Sequence, residues 1–292
     1  MKHRPVRHRL EYTAYLALSR LLMILPHRAV RSLGHGLGAL GHAVDRSHRT
    51  LALGNLVLAL TDLGEADRRR IVAACYRHFG AAFCELISTS RFSAEELGRY
   101  FRVEGVEHLE SAVAHGRGAL IICGHYGSWQ TAIYPLARAF GTLYVVARPP
   151  DNPYVARDLR RLRERWGVIV LDRSGVGHRV VNLLRRGEVV GMVVDQRPPP
   201  GTGIVVPFLG RPARSTEVPA LIATHLGTPA VPMTCWPHDD GTYTIRLHPP
   251  IAADGRGPEA VERLTRTYLA TVEDDIRRRP ELWLWMHDRW RA

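Results

Sequence analysis

From Tyr100 onward, apolar residues fall into short runs separated by amphipathic segments, and this alternation constrains the fold more than any other feature of the chain. The runs 119–123, 142–147, 168–171 and 189–194 read as strands, apolar at successive positions as strands covered on both faces are. Between them, 129–140, 153–166 and 177–186 carry helical periodicity. Strand, helix, strand in repetition needs crossover connections, so the expectation is an α/β fold with a mostly parallel central sheet flanked by helices. In such sheets ligands gather at the carboxyl ends of the strands. Residues 8–99 read instead as helices, with 29–44, 46–60 and 65–90 following a first helix; the last opens on Glu65 and Asp67, whose charge suits a helix N-terminus. The reading is a helical N-terminal region, 1–99, followed by an α/β core, 100–292, as one continuous unit, with 197–203 and its Pro-Pro-Pro-Gly a loop.

The residues able to do chemistry collect where the run 119–123 ends. Gly124-His125-Tyr126-Gly127-Ser128-Trp129-Gln130 puts a histidine just past a strand, on a glycine-flanked turn, ahead of a helix that Ser128 is expected to cap. Imidazole at such a place suits a general base that takes a proton from an attacking hydroxyl. Another acceptor must then hold its second nitrogen, and Gln130, one turn into the helix, is the expected partner. Arg148, after 142–147, suits a substrate phosphate or a solvent-exposed surface equally. Arg163 sits in an Arg-Arg-Leu-Arg-Glu-Arg run that also reads as a solvated face. Asp195 and Gln196 close the run 189–194, where polar groups line sites or cap a loop. Cys123 invites a Cys-His hydrolase reading, but in an apolar strand it reads better as a small buried hydrophobe. No His-Glu-x-x-His or Cys/His cluster with metal spacing occurs, so no metal is expected. Trp283, Trp285 and Trp290 are expected to pack beneath the sheet, with interfacial anchoring as the alternative.

At these residues the chain resembles the bacterial lipid A acyltransferases of the lauroyl/myristoyl type and the related phosphatidylinositol mannoside acyltransferases, within the glycerolipid acyltransferase superfamily. The resemblance runs through Asn55-Leu56, the segment 124–130, Arg148-Pro-Pro-Asp-Asn-Pro, Arg163 ahead of Gly167, Asp195-Gln196, Val206-Pro-Phe-Leu-Gly-Arg-Pro, Pro219-Ala220 and Pro280-Glu-Leu-Trp-Leu-Trp-Met-His-Asp-Arg-Trp. It implies an acyltransferase with His125 and residue 130 catalytic and with Ser128, Arg148, Arg163, Asp195 and Gln196 around the substrates. It further implies a donor on coenzyme A or acyl carrier protein, a lipid or glycolipid acceptor, no metal or redox cofactor, and work at the cytoplasmic face of the cell membrane. One position departs: the family carries an acidic residue five after the histidine, where this chain has Gln130. Three accounts stand open, with the first preferred because glutamine is the isosteric choice. They are a deliberate glutamate-to-glutamine replacement that lowers activity, a natural arrangement drawing on another carboxylate such as Asp195, and a relative of reduced activity.

Charge narrows the partners without choosing among them. Of 40 basic residues only Lys2 is lysine, and the net charge is +12, so anionic surfaces are expected: a bilayer, an acidic substrate or nucleic acid. Nucleic acid is disfavoured, since the arginines are spread along the chain without a reading motif. A catalytically silent membrane-binding relative is the other alternative, kept open by Gln130. Four scattered cysteines with no signal peptide pattern fit a reducing compartment. The apolar stretch 13–26 contains Arg20 and is too short to span a bilayer. Behind the basic leader 2–9, the face formed by Tyr12, Tyr15, Leu16, Leu18, Leu21, Leu22 and Leu25 reads as a membrane-interface helix or as an ordinary packed one.

Overall fold

The computed structural model describes residues 5–172 and 175–291. It opens with α1 (Pro5–Ile24), α2 (His27–Val44), α3 (Arg46–Ala59) and α4 (Glu65–Ser88), within two residues of the expected bounds for the last three. Local chemistry sets these limits. Asp45 separates α2 from α3 and caps the latter, its side chain accepting from His48 N. Then α5 (Ala94–Tyr100) starts on a capping box, in which Ser93 accepts from Glu96 N and Glu96 from Ser93 N.

The α/β part follows as β1 (Phe101–Glu104), α6 (Val106–Ala114), β2 (Ala119–Cys123), α7 (Trp129–Phe140), β3 (Leu143–Val146), α8 (Pro153–Arg165), β4 (Val168–Leu171), α9 (Val176–Arg185) and β5 (Val189–Val193). A hairpin, β6 (Ile204–Phe208) and β7 (Arg211–Ser215), leads to α10 (Val218–Leu226), β8 (Ala230–Pro237), β9 (Tyr243–Leu247) and α11 (Pro258–Arg278). The sheet has seven strands in the order β1-β9-β8-β2-β5-β3-β4. All its neighbours are parallel except β8 and β9. The fold is therefore α/β, with a mostly parallel sheet flanked by helices and a helical N-terminal region. Residues 197–203 are loop and turn, as expected. Apolar patterning did not flag β1, β8, β9 or the hairpin, because β8 contains Pro232 and Pro237 and the others mix charged residues or proline into short runs.

Period-two alternation along β2 divides the core. Leu120 and Ile122 face one layer with residues of α3, α4, α9, α10 and α11, while Ala119, Ile121 and Cys123 face another with residues of α5 to α8. Fully buried side chains such as Leu120 and Ile122 each contribute roughly 1.5–3 kcal/mol. Leu56, Ile71, Val72 and Cys75 of α3 and α4 belong to the first of these layers.

On the first helix the structure favours the packed alternative for most of the face. Leu22 is fully buried in a cluster with Val30, Cys84 and Ile87, flanked by Tyr15, Leu18 and Leu25, and the Tyr12 hydroxyl donates to Asp158 on α8. Most of the face read as interfacial thus packs inward. Leu10, Ala14, Ala17, Leu21 and Ile24, at spacings of three and four, form a different stripe that is exposed. Residues 2–4 of the basic leader lie outside the described residues. Among the described residues, no helix is long and apolar enough to cross a membrane.

Candidate active site

Parallel pairing of two central strands assembles the site. In the register of β2 with β5, Cys123 lies beside Val193, and Val194 N donates to Cys123 O. Two residues further along each chain, His125 and Asp195 emerge side by side at the carboxyl end of the sheet. The His125 ring sets Nδ1 2.8 Å from Asp195 Oδ1, while Asp195 Oδ2 accepts from His125 N at 2.7 Å and from Trp283 Nε1 at 2.6 Å. Asp195 is 1% exposed. Burial alone would push its pKa up, but the adjacent His125 and the three donors outweigh that and hold it below the ordinary aspartate value. An ionised carboxylate only accepts, so Nδ1 carries a proton, and in the neutral imidazole Nε2 is then the nitrogen with the lone pair. The imidazole remains partly open to solvent and packs edge-on to Trp129, 5.1 Å between centroids.

Two glycines make this turn possible. A Cβ on Gly124 would lie 2.6 Å from Val272 and 3.1 Å from the Asp195 carboxylate, so a side chain there would force Val272 to move and crowd the acid. Gly127 has φ +57°, and a Cβ there would fall 1.7 Å from Cys235 O. The turn is also pinned from the C-terminal segment: Leu284 N donates to His125 O at 3.1 Å and Gly127 N to Leu282 O at 2.8 Å. That segment is tied in turn to the N-terminal helices, since Asn55 Nδ2 donates to the carbonyls of Trp285 and His287, and the Cys75 thiol to that of Trp283. Trp283 and Trp285 are buried, as expected, and Trp290 is half-buried.

Gln130 is not the partner of the imidazole. Its Oε1 accepts from Arg163 Nη2 at 3.1 Å, because the first turn of α7 directs residue 130 toward α8 rather than back over the ring. The expected Gln130 role passes to Asp195, and Arg163 is brought to the site through Gln130. Ser128 holds the N-cap position of α7, but its side chain makes no capping bond. It is 3% exposed and its Oγ has no hydrogen-bond partner among the described residues. A cavity of about 180 Å³ lies here, between Phe79, Ala82 and Phe83 of α4 and the 127–131 segment. Gln196 follows Asp195, half-buried. Arg148 is not gathered in: its exposed guanidinium pairs with Asp151, three residues on. Cys123 points into the opposite layer, where burial pushes its thiol far above the usual range. Trp283 is the contact to the acid that residue patterns missed, since only folding brings position 283 to 195.

The bacterial lipid A biosynthesis acyltransferase family matches residues 1–292. The chain belongs to this family. It is 27% identical over 278 residues to a lipid A biosynthesis lauroyltransferase of Escherichia coli (strain K12), covering 93% of this chain and 88% of that one. It is 26% identical over 229 residues to a phosphatidylinositol mannoside acyltransferase of Mycobacterium tuberculosis (strain CDC 1551 / Oshkosh), covering 76% and 71%. A lipid A biosynthesis palmitoleoyltransferase of E. coli (strain K12) is 23% identical over 271 residues, covering 92% and 87%. Membership makes this chain an acyltransferase, and the resemblance carried by 124–130 and 280–290 extends to the whole sequence.

Proposed function

We propose that the protein moves a fatty acyl group from a thioester, on coenzyme A or acyl carrier protein, to a hydroxyl of a lipid or glycolipid acceptor at a membrane surface. The observation that carries this reading is the His125–Asp195 pair at the strand ends, with no hydrogen bond to Nε2 among the described residues. Nε2 takes the hydroxyl proton as the oxygen attacks the thioester carbonyl, and Asp195 stabilises the imidazolium that forms. The tetrahedral intermediate then expels the thiolate, which recovers the proton from Nε2, leaving an ester and a free thiol. The chemistry needs no metal or redox group.

The carbonyl oxygen, negative in the intermediate, fits the N-terminal turn of α7, where first-turn N–H groups and the unpartnered Ser128 Oγ border the cavity. Phe79, Ala82 and Phe83 offer the apolar wall that the start of an acyl chain requires. Arg163, held by a neutral amide, keeps its full charge for a phosphate of donor or headgroup. Asp195 supplies the carboxylate whose absence would favour a silent relative. Lipid A and phosphatidylinositol mannosides, named for the relatives, are the acceptor classes to try first. The exposed stripe of α1 and the net charge of +12 support docking on an anionic bilayer, at the cytoplasmic face if the cysteines sit in a reducing compartment.

Acylation of lipid fractions, with acyl-coenzyme A and acyl carrier protein donors compared by mass spectrometry, tests the reading. His125→Ala should lower turnover by about 10⁴ with the melting temperature unchanged, since a base of this kind contributes on that order. Undiminished transfer by that variant removes the assignment.

A further inference from the structure

Trp283 and Trp285 are adjacent buried indoles in edge-to-face contact at 4.7 Å, yet their N–H groups are used differently. Trp285 Nε1 donates to a backbone carbonyl, that of Pro280, at 2.7 Å. Trp283 Nε1 donates to Asp195 Oδ2 at 2.6 Å. A buried indole needs one acceptor, and a carboxylate makes that bond charge-assisted and directional.

We infer that Trp283 is a positioning residue for the imidazole: its N–H fixes the Asp195 carboxylate so that Oδ1 alone faces Nδ1, which holds His125 in the tautomer with Nε2 unprotonated. A carboxylate oxygen has about two lone-pair sites. On Oδ2 both are taken, by His125 N and Trp283 Nε1, so the ring proton is left with Oδ1. Rotation of the carboxylate would break all three bonds at a side chain only 1% exposed to bulk solvent. The indole cannot follow such a rotation. It is packed against Phe208 and Trp290, at 5.7 and 6.1 Å, and its own backbone carbonyl is taken by Cys75. The residues on either side of it, Leu282 and Leu284, are bonded to the His125 turn, so donor, acid and histidine share one frame. Support from the Trp283 N–H also helps keep the buried acid ionised.

The consequence for turnover rests on the acyl-transfer reading, while the tautomer is read without it. In ¹⁵N-histidine spectra of the full chain, neutral His125 should be a single Nδ1-protonated tautomer, and Trp283→Phe should convert it to a mixture. Trp285→Phe, which removes equal bulk from the same cluster, should leave the tautomer unchanged. In transfer assays Trp283→Phe should lower kcat about 10- to 100-fold, the effect of losing one hydrogen bond to a charged group, with acceptor KM unchanged. It should add no further loss in an Asp195→Asn background. Should Trp283→Phe fail to fold, benzothienylalanine at position 283 keeps the ring size and lacks only the N–H. A single unaltered tautomer after removal of the N–H overturns the inference. So do equal losses in the two tryptophan variants, or a loss in Trp283→Phe that multiplies with that of Asp195→Asn. Absence of acyl transfer by the unaltered protein would sink the functional reading and leave the tautomer result standing.

Discussion

The His125 turn and the first helix both mix polar with apolar residues, and the fold treats them in opposite ways. The turn is bonded to three separate parts of the chain: the end of β5 through Asp195, β8 through Cys235 O, and the C-terminal segment through Leu282 and Leu284. By contrast α1 buries one side chain fully, Leu22, is tied mostly by side-chain bonds, from Tyr12 to Asp158, from Asn152 to His8 O and Glu11 and from Arg91 to Met23 O, and leaves Val6, Leu10, Leu21 and Ile24 between 42% and 78% exposed. Catalysis needs atoms held to fractions of an ångström, and the backbone bonds that over-determine the His125 turn suit the role of base proposed for it. In the reading proposed above α1 meets lipid, which needs apolar area without a fixed geometry, and its exposed stripe supplies that.

That contrast is tested most severely at the acid. Asp195→Asn keeps the size but can present an amide N–H to Nδ1, which reverses the ring tautomer, so turnover should fall by about 10³. A loss under tenfold in steady-state assays would mean that the turn does not depend on this contact.

A smaller effect is expected at His78, which α4 places beside the Gly127 backbone. Burial pushes its pKa down to about 4 from 6.5. With the folded value below the unfolded one, the unfolded chain binds more protons between these pH values, so stability is full above about pH 6.5 and lost on acidification toward 4. Between pH 7 and pH 5 the loss from this group is about 2 kcal/mol, and His78→Phe should remove that share of the shift in urea midpoints. An unchanged pH slope would show that the wall behind the turn is not held by a neutral His78.

Smaller again is Gln130→Glu. The new carboxylate would pair with half-buried Arg163, not with the imidazolium, and a solvent-screened pair of this kind is worth up to about 1 kcal/mol, so turnover should change less than about fivefold. A rise of 10² or more would instead restore residue 130 as the partner of the base. On α1, the combined change Leu10→Ser, Leu21→Ser and Ile24→Ser should leave turnover on detergent-dispersed substrate unaltered. Flotation with anionic vesicles should weaken about tenfold or more, as three apolar contacts are lost. Equal effects in both assays would make α1 part of the catalytic body.

Sequence reading reached different depths in these places. The elements around the site were legible because their apolar periodicity is strong, and His125 stood out as a histidine between glycines at a strand end. Asp195 was visible as a polar strand end, but its partner was not, because Gln130 is near in sequence and Asp195 is 70 residues away. On α1 the apolar residues surround much of the helix, so periodicity alone could not say which stripe would meet the protein.

By itself, then, the sequence determined the α/β class, the helical start, the strand that delivers His125 and, through motifs spread along the chain, the family. These are properties of local spacing and residue type, which a linear pattern records. Only the tertiary structure decided that β5 lies beside β2, that Asp195 rather than Gln130 holds the imidazole, that Gln130 faces Arg163, and that Trp283 closes the acid's second oxygen. Strand order and the path of the C-terminal segment come from how whole faces are buried together, and that balance is summed over many distant residues, so no single stretch of chain contains it.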